Sequence, residues 1–189
     1  VITVATIEPR KNLRVALEAF SAVASSHSDL QLAVVGRQGW GTLQIPRQAA
    51  ERTRVLGRVS DEDLAALYSA CAVFVLPSRY EGFGLPLAEA MACGAPCIAS
   101  AIPSLQEVGG DASRYADPDE PAQFADQIDR LLRDPHARAE LSSRGRERAR
   151  NWSWRETARR TFEVYAQALG RASAGLVDAA PVSRACLGA

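Results

Sequence analysis

Residues 77–94 read PSRYEGFGLPLAEAMACG, and they decide the fold. The apolar run before them, at 72–76, predicts a strand, and residues 84–93 predict a helix that Gly94 ends. A second apolar run, at 96–100, predicts another strand. A strand, a helix and a strand in this order form a βαβ unit, which indicates a parallel sheet.

The same alternation extends on both sides of this unit. Further strands are predicted at residues 1–7, 30–35, 54–56 and 113–116, and further helices at 12–27, 60–70, 104–108, 120–133, 135–150 and 153–169. Capping residues stand at three helix starts: Asn12, Ser60, and Ser153 with Glu156. We therefore predict an α/β fold, a Rossmann-like parallel sheet with helices on both faces, whose ligands bind at the carboxyl ends of the strands.

These elements indicate one domain, at residues 1–170. Residues 171–189 are rich in Ala, Ser and Gly without a clear period, and we expect a frayed tail. The chain begins with Val1 rather than Met, directly in a strand-like run, and we interpret it as a fragment.

The composition limits the classes of partner. Lys and Arg total 22 and Asp and Glu total 22, so no long-range field favours nucleic acid or an anionic membrane. The two histidines have no cluster of metal ligands around them in the sequence, and no metal site is expected. Cys71, Cys93, Cys97 and Cys186 lack C-x-x-C spacing, and we interpret them as packing residues in a reducing, cytoplasmic setting. No apolar run reaches the ~20 residues that span a bilayer.

Glu81 and Glu89 are the first candidate binding residues. On one helix, two residues eight positions apart would lie about 80° apart around the axis. Gly82 and Gly84 instead permit a tight turn, which places Glu81 in a loop and Glu89 in the second turn of the following helix. The two carboxylates are thus predicted to flank the start of a helix.

The start of that helix is itself a candidate anion site, because its first backbone N–H groups, near residues 83–87, have no partner within the helix. A diphosphate there would place a sugar on the Glu81 side and a ribose towards Glu89, and each carboxylate can accept two hydrogen bonds from vicinal hydroxyls. In the alternative interpretation, Glu81 is a loop charge and Glu89 only complements the helix dipole.

Two other segments carry candidate residues. Residues 6–12, TIEPRKN, place Arg10 and Lys11 after the first strand, where two cations can meet a diphosphate; taken alone, such a pair is also typical of a solvated surface. Residues 54–60, RVLGRVS, could shape a pocket for a base through backbone groups and Val59, although a plain strand and turn explains them equally well.

Together these residues resemble a known family, the C-terminal domain of the retaining GT-B glycosyltransferases called glycosyl transferases group 1, or family 4. The resemblance covers residues 1–169. Its most specific motifs are EPRKN at 8–12, LGRVSDEDL at 56–64, PSRYEGFG at 77–84 and EAMACG at 89–94.

The resemblance implies a role for each candidate residue. Glu81 would contact the hydroxyls of the transferred sugar, Glu89 would hold the ribose diol, and Lys11 would bind the diphosphate. Arg10 is expected to assist Lys11, because many relatives carry Arg where Thr6 stands here. Ala5 replaces the glycine usual in that turn, and a tighter approach of the backbone to the phosphate is expected. Backbone contacts to the sugar and phosphate would come from Gly82, Phe83, Gly84 and Leu85.

The resemblance also implies what surrounds this chain. An N-terminal domain, absent here, would bind a glycan or lipid-linked acceptor, and the full-length enzyme would work in polysaccharide biosynthesis in the cytoplasm, at the inner face of the membrane. The donor is expected to be a nucleotide diphosphate sugar, GDP-mannose-like, with UDP donors as an alternative and no metal or other cofactor. A nucleotide-sugar epimerase and a non-catalytic binding module are the other functions considered.

Overall fold

Six parallel strands form one sheet in the computed structural model, which describes residues 1–169. The strands are β1 Ile2–Val4, β2 Leu32–Val35, β3 Thr53–Gly57, β4 Phe74–Leu76, β5 Cys97–Ser100 and β6 Ser113–Ala116. Their order across the sheet is β3-β2-β1-β4-β5-β6, and every neighbouring pair is parallel. The predicted Rossmann-like α/β fold is confirmed.

The chain divides into two compact units, the first being Val1–Ala149 and the second beginning at Arg150. The sheet and seven helices belong to the first: α1 Leu13–Ala24, α2 Arg47–Ala50, α3 Asp61–Ala70, α4 Leu85–Ala92, α5 Pro103–Gly109, α6 Pro121–Arg133 and α7 Pro135–Ala149. The second contains α8, Trp154–Ala168. Short 3-10 turns lie at Pro9–Lys11 and Gly110–Ala112. The predicted tail at 171–189 lies outside the described residues.

The central strands are buried on both faces. In β4, Val75 joins a cluster that contains Val15 of α1 and Phe124 of α6. Its neighbour Phe74 contacts the Tyr68 ring of α3 edge to face. Because successive strand residues point to opposite faces, α1 and α6 cover one face and α3 covers the other. The central strands therefore have apolar packing on both sides, as their continuous apolar runs predict, whereas Val55 and Leu56 of the edge strand β3 are exposed.

Two of the three predicted caps are confirmed. The Ser60 hydroxyl accepts a hydrogen bond from the Asp63 amide at 3.1 Å, and the Ser153 hydroxyl accepts one from the Glu156 amide at 3.1 Å. The Glu156 carboxylate pairs with Arg159 and Arg160, and hydrogen bonds from these two arginines lower its pKa to about 2.

The prediction that Asn12 caps α1 through its side chain is wrong. Asn12 stands at the N-cap position with a left-handed backbone (φ 54°), and its side chain makes no capping bond. Its Nδ2 donates instead to the carbonyls of Pro77, at 2.9 Å, and Pro118, at 2.6 Å. Asparagine suits this place because its short polar side chain tolerates the left-handed region.

Three of the four cysteines lie in the described part of the chain. Cys97 is buried, Cys71 and Cys93 are half-buried, and all three are free thiols. Burial raises the pKa of each, so the thiols stay protonated and poorly nucleophilic at neutral pH. Over residues 1–169, no helix combines the length and apolar character that crossing a membrane requires.

Candidate functional site

The two loops that carry the predicted charges lie side by side. The β1–α1 loop (residues 5–12) and the β4–α4 loop (residues 77–84) follow strands that are neighbours in the sheet, so both begin at the same sheet edge. The Arg79 amide donates to the Arg10 carbonyl at 2.9 Å and joins them through the backbone. Asn12 adds a second link, through its hydrogen bond to Pro77.

Glu81 is the centre of a buried ion cluster. Its Oε1 accepts hydrogen bonds from the Lys11 Nζ at 2.7 Å and the Ser78 hydroxyl at 2.7 Å, and its Oε2 accepts a second one from Lys11 at 3.0 Å. The side chains of Glu81 and Lys11 are only 7% and 11% exposed. Two groups predicted to bind different parts of a ligand therefore bind each other.

Arg10 occupies the exposed side of this cluster. One of its terminal nitrogens lies 2.7 Å from a Glu8 carboxylate oxygen, and the other lies 3.5 Å from Glu81 and 3.3 Å from the Tyr80 carbonyl oxygen. With its side chain 44% exposed, the guanidinium remains accessible to an anion in solvent. The cluster thus contains two cations, of which one is enclosed and one is open.

The β4–α4 loop turns into α4 at Gly84, whose φ of +100° is left-handed. A Cβ at Gly84 would come within 2.4 Å of the Leu105 side chain, so only glycine fits this turn without strain. Pro86 has no N–H, and the Leu87 amide donates to the Gly84 carbonyl at 2.9 Å. The predicted anion site, which extended to Leu87, is thereby limited to the amides that precede Pro86.

Three of the four residues predicted to offer backbone contacts to a ligand at this turn are exposed. Gly82, Phe83 and Leu85 are exposed, whereas Gly84 is buried. These exposed residues lie in the chain between Glu81 and Pro86, at the start of α4. A ligand can therefore reach the backbone here without moving the core.

Glu89 lies in the second turn of α4, as predicted, and its surroundings differ from those of Glu81. It is exposed at the surface. Partial desolvation raises the pKa of Glu89, the Asp61 carboxylate at the start of α3 raises it further, and the Tyr68 hydroxyl opposes both. Val59 is half-buried and stands two residues before Asp61, the carboxylate that influences Glu89.

The sequence does not predict three features of the site: the contact of Ser78 with Glu81, the bridge that Asn12 forms between loops, and the presence of Tyr68 near Glu89. Ser78 is fully buried with its hydroxyl on Glu81, and it lies within the PSRYEG motif that the sequence singles out. Asn12 lies within the EPRKN motif, but its bond to Pro118 spans 106 residues and leaves no local pattern. Tyr68 looks like an ordinary apolar position of α3. Among residues 1–169, no three His, Cys, Asp or Glu side chains group closely enough to hold a metal ion.

Comparison with known proteins places these features in a family. Residues 1–148 match the family described as glycosyl transferases group 1. O-antigen chain mannosyltransferase B of Escherichia coli is 39% identical over 169 residues, which are 86% of this chain and 44% of that protein.

Two solved structures share the fold. Sucrose-phosphate synthase from Thermosynechococcus elongatus matches with a TM-score of 0.72 and 30% identity, over 89% of this chain and 45% of that one. HepE of Anabaena, in complex with UDP and glucose, matches with a TM-score of 0.69 over 78% of this chain and 42% of that one, and its 24% identity shows likeness of fold alone. The chain spans less than half the length of each of these three proteins.

Proposed function

The chain belongs to the group 1 glycosyl transferases, and on that premise we propose that its first unit is the donor-binding half of a retaining GT-B glycosyltransferase. The observation that carries this proposal is the meeting of Lys11, Arg10 and Glu81 beside the start of α4, with Glu89 one helical turn further on. The mannosyltransferase relative favours this function over a nucleotide-sugar epimerase.

In this proposal the two ends of the site bind the two ends of a sugar nucleotide. Glu81 accepts hydrogen bonds from the hydroxyls of the transferred sugar, and Glu89 accepts them from the ribose diol. The backbone of residues 82–85 contacts the sugar and the diphosphate, while Val59 lies against the base. Hydrogen bonds to a charged group are worth about 1.5–3 kcal/mol each, enough to orient the donor.

Lys11 and Arg10 act on the leaving group. In the reaction the bond between the anomeric carbon and the diphosphate oxygen breaks, the acceptor oxygen bonds to that carbon on the same face, and the proton of the acceptor hydroxyl passes to the departing diphosphate or to solvent. Negative charge then develops on the diphosphate. An ammonium carries three N–H donors, and Lys11 directs hydrogen bonds to both Glu81 oxygens, so a third can serve a phosphate oxygen. Fixed cations stabilise such a charge, and we propose that no metal ion is needed.

We propose a GDP-linked, mannose-like donor, a choice supported by the mannosyltransferase relative. UDP donors are the alternative, and HepE, whose fold is alike, is described with UDP and glucose. The acceptor, a glycan or a lipid-linked sugar, would bind residues of the full-length enzyme outside these 189, at the inner face of the membrane. The 189 residues alone should therefore bind a donor weakly and transfer nothing.

Titration with nucleotides tests this proposal. GDP-mannose, GDP, UDP-glucose and UDP are titrated into the 189-residue chain by calorimetry, and into Glu89→Ala. Loss of the ribose contacts should weaken binding by about 1.5–3 kcal/mol, or roughly 10- to 150-fold. Because Glu89 is exposed, its removal should leave the free energy of unfolding within about 0.5 kcal/mol of wild type.

Glu51→Ala, which removes another exposed glutamate, is the matched control and should bind as the wild type does. Unchanged affinity in Glu89→Ala would remove Glu89 from the site and with it the proposed orientation of the donor. Sugar transfer by the 189 residues alone would overturn the proposal that another part of the enzyme is required.

A further inference from the structure

Tyr68 is a buried tyrosine whose hydroxyl has no evident structural use. The residue is 1% exposed in α3, and its hydroxyl oxygen has no hydrogen-bond partner of normal geometry among residues 1–169. A buried hydroxyl without a partner destabilises the fold, so phenylalanine would suit the core better at this position. The hydroxyl therefore calls for a reason outside core packing.

The ring of Tyr68 is held in place by its packing. It meets the Phe74 ring of β4 edge to face, with centroids 5.4 Å apart and planes at 83°. The hydroxyl lies close enough to the Glu89 carboxylate for each group to affect the pKa of the other. The packed ring thus holds its hydroxyl near the Glu89 carboxylate, which is exposed.

Glu89 has room for such a donor. An ionised carboxylate offers about four lone-pair positions, and a vicinal diol uses two of them. Burial raises the pKa of Tyr68 well above its usual range, and the Glu89 charge raises it further, so the hydroxyl keeps its proton at neutral pH. The other groups that influence Glu89 or Tyr68 are Asp61 of α3 and three thiols, Cys71, Cys93 and Cys97.

We propose that Tyr68 is a positioning residue for Glu89, whose carboxylate it fixes by a hydrogen bond when the ribose diol binds. The inference rests on the proposed function, in which Glu89 holds the ribose. The protein-facing side of the carboxylate binds Tyr68, and its solvent-facing side is left for the diol. The hydroxyl already favours the ionised form of Glu89 in the free chain, and the hydrogen bond becomes well formed when the diol holds the carboxylate in place.

Tyr68→Phe separates this role from a structural one. It deletes a single oxygen, so the midpoint of urea unfolding should stay equal or rise. Affinity for GDP and UDP should fall about threefold to tenfold, less than in Glu89→Ala, because the carboxylate that contacts the diol remains. Nucleotide binding should strengthen with rising pH as Glu89 ionises, and the midpoint of that rise should move to higher pH in Tyr68→Phe.

Tyr115→Phe is the matched control, because the Tyr115 hydroxyl donates to the Gly110 carbonyl at 2.9 Å. It should lower stability and leave nucleotide affinity unchanged.

Combined with Glu89→Ala, Tyr68→Phe should weaken binding no further.

Three results would overturn the inference: wild-type affinity and pH profile in Tyr68→Phe, a loss of stability in that variant, or a further loss of affinity in the Glu89→Ala background. If Glu89→Ala weakens binding and Tyr68→Phe does not, only the inference fails. If Glu89→Ala binds normally, the proposed function fails with it.

Discussion

Glu81 and Glu89 lie on one loop and helix, eight residues apart, in opposite surroundings. Glu81 is enclosed and holds Lys11 and Ser78 within hydrogen-bond distance. Glu89 is exposed, and the charged group that influences it most is another carboxylate, Asp61. Sequence spacing makes the two glutamates look equivalent, whereas the structure makes them unequal.

This difference predicts how a donor gains binding energy at the Glu81 end and at the Glu89 end of the site. At Glu81 a sugar hydroxyl meets a carboxylate that is already paired with Lys11 and Ser78. The hydroxyl replaces one of these hydrogen bonds, so the donor benefits mainly from the fixed geometry of the carboxylate. At Glu89 a ribose diol meets a carboxylate that faces solvent, so the hydrogen bonds of the diol do not replace hydrogen bonds within the protein. We expect mutations on the Glu81 side to affect the fold first, and mutations on the Glu89 side to affect binding first.

The largest expected effect is on the Glu81 side, in Lys11→Met. Removing the ammonium leaves the Glu81 carboxylate buried without its main partner, and breaking a buried pair in this way costs about 3–5 kcal/mol of unfolding free energy. Urea unfolding measures it. The double variant with Glu81→Gln should recover much of the loss, because no uncompensated charge then remains.

Arg14→Met is the control for this experiment. It removes an exposed pair with Glu18, at 2.7 Å and one helical turn apart, which is worth about 0.5 kcal/mol or less. If Lys11→Met lowered the free energy of unfolding no more than Arg14→Met does, the Glu81 side would be no more integral to the fold than the Glu89 side. The proposed difference between the two sides would then be wrong.

A smaller effect is expected at Asn12, which ties the Glu81 side to the rest of the sheet edge. Asn12→Gly keeps the left-handed backbone but leaves the carbonyls of Pro77 and Pro118 without this donor, which should cost about 1–3 kcal/mol of unfolding free energy.

Asn12→Ala loses the same bonds and also disfavours φ of 54°, so it should be less stable than Asn12→Gly by about 1 kcal/mol. Urea unfolding of both variants gives the two differences. Equal stability of glycine and alanine at this position would contradict the backbone part of the explanation.

The smallest effect is a pH dependence on the Glu89 side. Because the pKa of Glu89 is raised above 4.5, the folded chain holds more protons at this group than the unfolded chain between the two pKa values. The free energy of unfolding therefore falls as the pH rises through that window. Glu89→Gln cannot titrate, so its stability should lack this decline, and urea unfolding at a series of pH values measures it.

Glu51→Gln is the control for the pH series and should keep the decline, because Glu89 remains. A Glu89→Gln curve parallel to that of the wild type from pH 4.5 upwards would contradict the raised pKa.

Local signals in the sequence predicted most of the fold. The apolar runs located all six strands, and Ser60, Ser153 and Gly94 marked helix ends correctly, because capping and left-handed glycine depend on neighbours in the chain. Helix α2, Arg47–Ala50, was missed because four residues are too short to show a helical period.

The site was predicted less completely, because its contacts join loops that follow different strands of the sheet. Lys11 and Glu81 were both singled out, but their direct pairing follows from β1 lying beside β4, which no local pattern encodes. The same holds for Asn12, whose residue type suggested a cap and whose partners lie in two other loops. The ligand roles of the site residues remain predictions.

The two hydrogen bonds of Asn12 have a consequence for the timing of folding. They join positions 65 and 106 residues apart, so neither can form until strands from both halves of the sheet have assembled. Closing such long loops is slow, because chain entropy is lost before the contacts compensate for it. The Glu81 side of the site should thus form late in folding. The time course of nucleotide binding by a refolding chain would then report when the sheet is complete.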